Sequence, residues 1–278
     1  MDVVPISEVI PEKNIVIFSP HFDDVLFMLG GYLLELRDQN LIDKKNFHIL
    51  LLFSRSNYLA GTGEGNLDVS VDRQQRATGI RLLEDFCCLD EVLGEFNYRY
   101  EMLTEKECFT RAKAFADCEM EFPHGMYEDF NADDWSIFER MKKSVRQWAC
   151  QHDTALVFPL GIKEHIDHFI TREAGMSIAR EMGKKAAATF YFQEDKPYGG
   201  IATQDELERI EKFIENNKLK SKIYKHNPEG VIELAFRHYT SQVEEVYKKG
   251  IRQRSEFLRQ HVKKDYPCDR ILEFINTP

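Results

Sequence analysis

The sequence has no long apolar run and no excess of positive charge. Its most apolar segment, 25–34, lies between Asp24 and Glu35 and is far shorter than the roughly 20 residues that span a bilayer. The chain carries 37 Lys and Arg against 47 Asp and Glu, a net charge of −10, which repels phosphate backbones and anionic lipids. We therefore expect neither a nucleic-acid partner nor a membrane partner.

Paired cysteines and a leader segment are also missing. The six cysteines, at 87, 88, 108, 118, 150 and 268, form no C-x-x-C pair and no regular framework. This pattern predicts buried, reduced thiols, as in a cytoplasmic protein. Residues 1–13 contain acids and two prolines and no basic stretch leading into an apolar one, so we expect no signal peptide.

Short apolar runs alternate with longer helical stretches along the 278 residues, which indicates an α/β fold with a mostly parallel sheet flanked by helices. The predicted strands are 14–19, 47–53, 91–95, 154–158 and 188–192, and 221–226 is a further strand candidate. The predicted helices are 25–37, 71–88, 105–120, 134–151 and 165–181. We interpret 1–278 as a single domain whose part from about 203 onward is mainly helical. Residues 54–68 are predicted to form a loop whose glycine-rich stretch 61–65 is a flexible active-site loop, and 121–133 is predicted to be a surface excursion.

Histidines and acidic residues follow two of the predicted strands. The first cluster comes directly after strand 14–19 and the second after strand 154–158; the residues are His21, Asp23, Asp24, His165, Asp167 and His168. Because ligands of an open parallel sheet bind beyond the carboxyl ends of its strands, we expect both clusters at one edge of the sheet. Each cluster alone could consist of helix caps and dipole-stabilising acids. Two clusters in equivalent positions favour a metal site.

The spacing inside each cluster also suits a metal. His21 and Asp24 stand three residues apart, as do His165 and His168, so each pair can share one face of a helical turn. A catalytic zinc typically has three protein ligands and one open position. His21, Asp24 and His168 would supply that set, which leaves Asp23 free to act as a base and His165 as a second imidazole nearby.

These residues also resemble a known family. The run IVIFSPHFDDVLFMLGG (15–31) is similar to the PHPDDE-type signature of the LmbE-like, or PIG-L, deacetylases, and HIDH (165–168) is similar to their H-x-D-H signature. Three weaker similarities are Arg73 at a helix start, YFQEDKPYGG (191–200) and YTSQ (239–242). The resemblance implies a Rossmann-like fold and zinc-dependent hydrolysis of an N-acyl group, typically an N-acetyl group on an amino sugar or glycoconjugate.

The resemblance also implies roles for individual residues. His21, Asp24 and His168 would hold one zinc ion per chain, and Asp23 would be the general base. His165 would stabilise the oxyanion, most effectively if protonated, or protonate the leaving amine. Asp167 would orient a histidine, either His165 or His168. The partner would be a small N-acylated sugar or conjugate, contacted by Arg73, Asp195 and Tyr198 at the rim of the pocket, and a homo-oligomer is possible.

The sequence departs from the family pattern at two positions. Phe22 replaces a proline, and Val25 replaces the glutamate that ends the first signature. Loss of a carboxylate that supports a metal ligand can change affinity or activity by about 10–100-fold. Two alternatives therefore stay open: a metal-binding homologue that recognises a glycan or partner without turnover, and a metal-dependent esterase or phosphoesterase. A dinucleotide-binding domain is disfavoured, because Pro-His-Phe-Asp-Asp stands where that fold needs glycines.

Overall fold

A twisted sheet carries the site, with both of its faces covered by helices. The structure is a computed structural model that describes residues 3–60, 68–111 and 130–275. Within these ranges the strands are β1 Asn14–Ser19, β2 Asn46–Leu51, β3 Tyr98–Met102, β4 Thr154–Pro159, β5 Thr189–Gln193, β6 Leu219–Lys225 and β7 Cys268–Phe274. Their order is β3-β2-β1-β4-β5-β7-β6. Strands β1 to β5 pair in parallel, and β7 is antiparallel to both β5 and β6. The predicted mostly parallel α/β fold is confirmed.

Several of the helices begin at residues whose side chains cap them. They are α1 Ile6–Val9, α2 Asp24–Asp38, α3 Val71–Leu93, α4 Ala132–Trp148, α5 Ile166–Met182, α6 Tyr198–Ile201, α7 Gln204–Asn216, α8 Pro228–His238 and α9 Glu245–Val262. The side chain of Ser70 caps α3, and Asn131 and Thr203 form capping boxes at α4 and α7. Such caps satisfy amide groups that have no partner inside the helix.

The central strands are buried on both sides, as their continuous apolar runs predict. In β1, Ile15 and Ile17 pack into one apolar cluster with residues of α2 and α8. Val16 and Phe18 point to the opposite face and pack with residues of α4 and α5. Since successive side chains of a strand alternate between faces, one strand serves both cores. The two clusters hold β1 and β4 side by side in a single α/β domain.

The parallel sheet is wound in two directions from its centre. From β1 the chain proceeds to β2 and β3 on one side, and from β4 to β5 on the other. Such a reversal leaves a crevice between β1 and β4 at their carboxyl ends, where ligands of this architecture bind. The register pairs Asn14 with Thr154 and Ile17 with Val157, so the two strands end at the same edge.

Three predicted elements differ in the structure. The predicted strand 91–95 is the last turn of α3, because Leu89, Val92 and Leu93 continue the buried helical face until Gly94, whose φ of 88° ends the helix. The described part of predicted helix 105–120 contains only a 3₁₀ turn, Cys108–Thr110, and 112–120 lies outside the described residues. The region from 203 onward contains β6 and β7 as well as helices. The sequence did not indicate β7, because buried charged residues interrupt its apolar pattern.

Other predictions concern the cysteines, the loops and the membrane. Cys88, Cys108 and Cys268 are buried as predicted, but Cys87 and Cys150 are exposed, and Cys118 lies outside the described residues. Residues 61–67 of the predicted loop and 121–129 of the excursion also lie outside them. None of the described helices combines the length and the apolar character that crossing a membrane requires.

Candidate metal centre

Three donor atoms converge in the crevice between β1 and β4, and we call them the metal triangle. Asp24 Oδ2 lies 3.2 Å from His21 Nδ1 and 3.2 Å from His168 Nε2. The two imidazole nitrogens are 3.3 Å apart. All three residues are buried. The structure thus brings together, from the two segments, the three residues that the sequence predicts as metal ligands.

The metal triangle fits a tetrahedral zinc ion. Zinc bonded to nitrogen and oxygen at about 2.0–2.1 Å places neighbouring ligand atoms about 3.3 Å apart. The observed separations of 3.2, 3.2 and 3.3 Å match this value. Burial alone would lower the pKa of His21, yet Asp167 and Asp24 raise it to about 9. The same negative surroundings that favour a proton on this imidazole would favour a divalent cation.

A carboxylate lies behind each imidazole ring of the triangle. Asp167 Oδ2 lies 3.0 Å from His21 Nε2, and Asp195 Oδ1 lies 3.4 Å from His168 Nδ1. Each contact engages the nitrogen that is not in the triangle, which leaves the other nitrogen with a free lone pair. Asp167 therefore orients His21, rather than His165 or His168 as the sequence suggested. Arg111 Nη2 donates to Asp167 Oδ1 at 2.6 Å and holds this carboxylate in place.

Asp23 lies at the first turn of α2 and faces a cavity above the triangle. Its Oδ1 is 3.8 Å from Arg81 Nη2. Burial and the neighbouring charge of Asp24 raise the pKa of Asp23 to about 6, although Arg81 and His21 act in the opposite direction. A carboxylate with this pKa is ionised at neutral pH and remains basic enough to accept a proton.

His165 forms the N-cap of α5 and also lines the cavity. Its Nδ1 accepts the backbone N–H of Asp167 at 3.2 Å, so the neutral ring carries its hydrogen on Nε2. Burial, together with the nearby His21, lowers the pKa of His165 well below its usual range. The protonated His165 anticipated from the sequence is therefore replaced by a neutral N–H donor.

A second group of donors includes His165 but fits a metal less closely. Nitrogens of His21, His165 and His168 all lie within 4.8 Å of one another. Asp24 makes a tighter set with His21 and His168, at 3.2–3.3 Å, and the Nδ1 atom of His165 is already engaged by a backbone N–H. The metal triangle, and not the set of three imidazoles, is therefore the better match for the ligands of a metal ion.

The polar side of the cavity is built around Arg81, which sequence reasoning missed. Arg81 Nε donates to Gln242 Oε1 at 2.6 Å, and Nη1 donates to Ser56 Oγ at 2.6 Å and to Glu107 Oε1. We call these four residues the Arg81 cluster. The guanidinium also lies 5.3 Å from the ring centroid of Phe22, the residue that replaces the family proline. Gln242 belongs to the YTSQ segment, the one hint of this cluster in the sequence.

The three predicted substrate contacts have different positions. Tyr198 lines the cavity, as expected. Asp195 is completely buried behind His168 and so does not lie at the rim. Arg73 Nε donates to the carbonyl of Asn57 at 2.9 Å, and among the described residues Arg81 rather than Arg73 lines the cavity. Arg81 occupies this position because it lies on the buried face of α3, further along from the exposed helix start.

Val25 faces away from the cavity. It is completely buried and packs in the apolar cluster that contains Met28 and Leu29. The side chain at this position therefore belongs to the apolar core and not to the lining of the cavity. Asp167 and Asp195 provide the described carboxylate support for the two imidazoles.

The cavity itself is small and partly aromatic. Its volume is about 40 Å³, and Tyr58, Phe109, Tyr198 and Tyr247 contribute rings to its lining. A larger hollow of about 490 Å³ lies at the opposite end of the sheet, near the first residues of β1 and β2, and its lining contains no carboxylate. By volume alone that hollow would be the candidate site. The converging donor atoms instead indicate that the cavity beside β1 and β4 is the candidate site.

Several solved structures with the same fold are deacetylases by their descriptions. A zinc-inhibited form of teicoplanin deacetylase Orf2 matches with a TM-score of 0.65 and 16% identity, over 95% of this chain and 98% of that one. A deacetylase of the teicoplanin biosynthesis pathway gives 0.62 and 18%, with the same coverage. The N,N′-diacetylchitobiose deacetylase of Pyrococcus horikoshii gives 0.56 and 11%, over 96% and 89%. No protein-family model matches the chain, and no curated protein matches it by sequence. The chain thus has the fold of these deacetylases.

Proposed function

We propose that this protein is a zinc-dependent deacetylase that hydrolyses the N-acetyl group of an amino sugar or glycoconjugate. The observation that carries the proposal is the metal triangle with Asp23 beside it, in a fold shared with deacetylases of teicoplanin and of N,N′-diacetylchitobiose. His21, Asp24 and His168 would hold one zinc ion. When bound, zinc makes a water molecule acidic and polarises a carbonyl oxygen, two functions that amide hydrolysis needs.

Asp23 would move the proton. It borders the cavity next to the ligand Asp24, and its pKa of about 6 suits a group that accepts a proton at neutral pH. A positioned base of this kind contributes about 10²–10⁴-fold to rate. The sequence alone left open whether Asp23 or His165 protonates the leaving amine. Since a neutral imidazole is a poor acid, we assign this step to Asp23, which has just gained a proton.

His165 would stabilise charge. Its Nδ1 is held by the backbone of Asp167, so Nε2, which lies 3.8 Å from Cys108 Sγ, keeps its hydrogen, and the ring would turn this donor toward the negative charge that develops on the acyl oxygen. A donor fixed before the reaction stabilises the transition state without having to reorganise. Its neutral state is sufficient for this role.

The other side of the cavity supports a sugar substrate without a phosphate at this position. Arg81 is already bonded to Glu107, Gln242 and Ser56, so its charge is neutralised within the protein. Aromatic rings next to hydrogen-bonding groups suit a sugar ring, which has apolar faces and polar edges. The cavity beside the triangle is small, about 40 Å³, which favours a small acyl group such as acetyl over a long acyl chain. These features weigh against the phosphoesterase alternative.

The first experiment measures metal content and acetate release. We expect about one zinc per chain and acetate release from N-acetylated amino sugars such as N,N′-diacetylchitobiose. Asp23→Asn should keep the zinc and lose about 10²–10⁴-fold in turnover, because it removes the base and leaves the ligands in place. Asp133→Asn, an equivalent change at the exposed start of α4, is the matched control and should alter neither quantity.

Two results would reject the proposal in different ways. Zinc bound tightly without hydrolysis of any amide or ester in a broad panel would favour the metal-binding homologue that recognises a glycan or partner. A purified chain that binds no divalent metal would remove the basis of the site altogether.

A further inference from the structure

Three consecutive charged residues are buried immediately after β5. Glu194 and Asp195 are completely shielded from solvent, and Lys196 is 2% exposed. Removing an ion from water costs several kcal/mol, and ion pairs in protein interiors often add little net stability. Net stabilisation of the fold therefore does not explain why three charged residues are buried in this segment.

Glu194 is held by two arginines from different elements. Arg254 of α9 donates to both of its carboxylate oxygens, Nε to Oε2 at 2.7 Å and Nη2 to Oε1 at 2.6 Å. Arg270 of β7 donates from Nε to Oε1 at 2.7 Å. Burial would raise the pKa of Glu194, but these arginines bring it well below its usual range, so the carboxylate is ionised.

Lys196 is held by a second ion pair. Its Nζ lies 2.7 Å from Asp269 Oδ2 of β7 and 3.3 Å from the carbonyl of Met28 in α2. Tyr224 of β6 donates to the same oxygen of Asp269 at 2.7 Å. Both ion pairs thus fix the segment to β7, the strand that the sequence did not predict.

Asp195 lies between the two ion pairs and points to the other side, toward the metal triangle. Its Oδ2 accepts the backbone N–H of Ile162, in the connection between β4 and α5, at 2.9 Å. Its Oδ1 is 3.4 Å from His168 Nδ1. The carboxylate therefore links the segment after β5 to the imidazole whose other nitrogen is in the triangle.

We infer that the ion pairs Glu194–Arg254/Arg270 and Lys196–Asp269 position Asp195 against His168 and thereby set the affinity of the site for its metal. The inference rests on the proposed function only in treating His168 as a metal ligand. Lys196 and Arg254 act through Asp195 and are positioning residues. Charged hydrogen bonds allow a narrow range of geometries, and this is what an orienting carboxylate requires.

The test measures the dissociation constant of Zn²⁺ for the full chain by competition with a chromogenic chelator. Asp195→Asn should weaken zinc binding about 10–100-fold, the usual effect of removing a group that orients a metal ligand. Lys196→Met and Arg254→Met should each weaken it by about 10-fold. Arg254→Met is the variant more certain to fold, because Glu194 keeps its bond to Arg270.

A double-mutant cycle separates positioning from general destabilisation. If Lys196 acts through Asp195, the double variant Lys196→Met/Asp195→Asn should bind zinc as well as Asp195→Asn alone, to within about twofold. Leu93→Ala, which opens a cavity at the far end of α3, should lower Tm and leave zinc binding unchanged.

The outcomes are distinct. Additive losses in the double variant, or an equal loss in Leu93→Ala, would overturn the inference. Zinc binding by the unchanged chain without acetate release would reject the proposed deacetylase and leave the affinity comparison decisive. Absence of zinc binding in the unchanged chain would overturn both.

Discussion

The metal triangle and the Arg81 cluster lie on two sides of the same cavity, but the chain builds them differently. The triangle comes from two short segments, each placed directly after a strand of the parallel sheet. The cluster takes single residues from four regions: the segment after β2, helix α3, the segment after β3 and the segment after α8. Local sequence therefore describes the first site well and the second poorly.

The two regions also differ in how their charges are balanced. The triangle has one carboxylate ligand and two imidazoles, and the carboxylates of Asp167 and Asp195 lie behind it, which favours a cation among the three donor atoms. In the Arg81 cluster the guanidinium is already paired with Glu107. The metal triangle is therefore suited to hold an ion, and the Arg81 cluster is suited to present hydrogen-bonding groups.

The largest expected effect comes from removing a ligand of the triangle. His168→Ala should weaken zinc binding by more than the roughly 10–100-fold typical of supporting residues, and acetate release should be lost. His238→Ala, which removes a histidine paired with Glu91 away from the cavity, is the control. If His165→Ala weakens zinc as much as His168→Ala, the three imidazoles and not the Asp24 set hold the metal. Chelator competition measures all three variants.

A smaller and different effect is expected in the Arg81 cluster. Arg81→Lys keeps the charge and loses the forked hydrogen bonds, so kcat/KM should fall about 10- to 100-fold while zinc affinity stays unchanged. Arg73→Lys, on the same helix, should leave both quantities unchanged. Steady-state kinetics on an N-acetylated sugar measures kcat/KM, and a zinc titration measures the zinc affinity of each variant. An equal loss in Arg73→Lys would restore the substrate contact that the family resemblance implies.

The smallest effect concerns His226, a buried histidine near Asp269 and Lys196, and it is a loss of folding stability that appears only in acid. His226 is completely buried, and burial lowers its pKa to about 4, with Asp269 and Lys196 acting on it in opposite directions. An unfolded histidine titrates near 6.5, so below that pH the unfolded state binds more protons and folding stability falls as pH drops toward 4. Between pH 7 and 5 we expect a loss of about 2 kcal/mol from this group.

Denaturant unfolding at several pH values measures that loss. His226→Gln should flatten the acid side of the stability profile by about 2 kcal/mol at pH 5. The exposed His152→Gln is the control. An unchanged profile in His226→Gln would show that the ring contributes nothing to the pH dependence, and metal binding at neutral pH should be the same in both variants.

The triangle was predictable because its geometry is largely local. His21 and Asp24 lie on one turn after β1, and the parallel arrangement places the end of β4 beside it. The carboxylates behind the two imidazoles of the triangle were not predictable in the same way. The sequence predicts that Asp167 orients His165 or His168 and that Asp195 lies at the rim of the pocket. The structure differs on both points, because no local pattern reveals which distant imidazole a carboxylate contacts.

The sequence by itself determined the alternation of strands and helices and the three donor residues that follow β1 and β4 at one edge of the sheet. These follow from periodicity and from residues adjacent to strand ends, which short-range sterics control. The tertiary structure alone decided the role of Arg81, the neutral state of His165, the position of Asp195 and the presence of β7. Each of these depends on burial and on partners from remote segments, and the free energy of a buried charge is set by those surroundings and not by its neighbours in the chain.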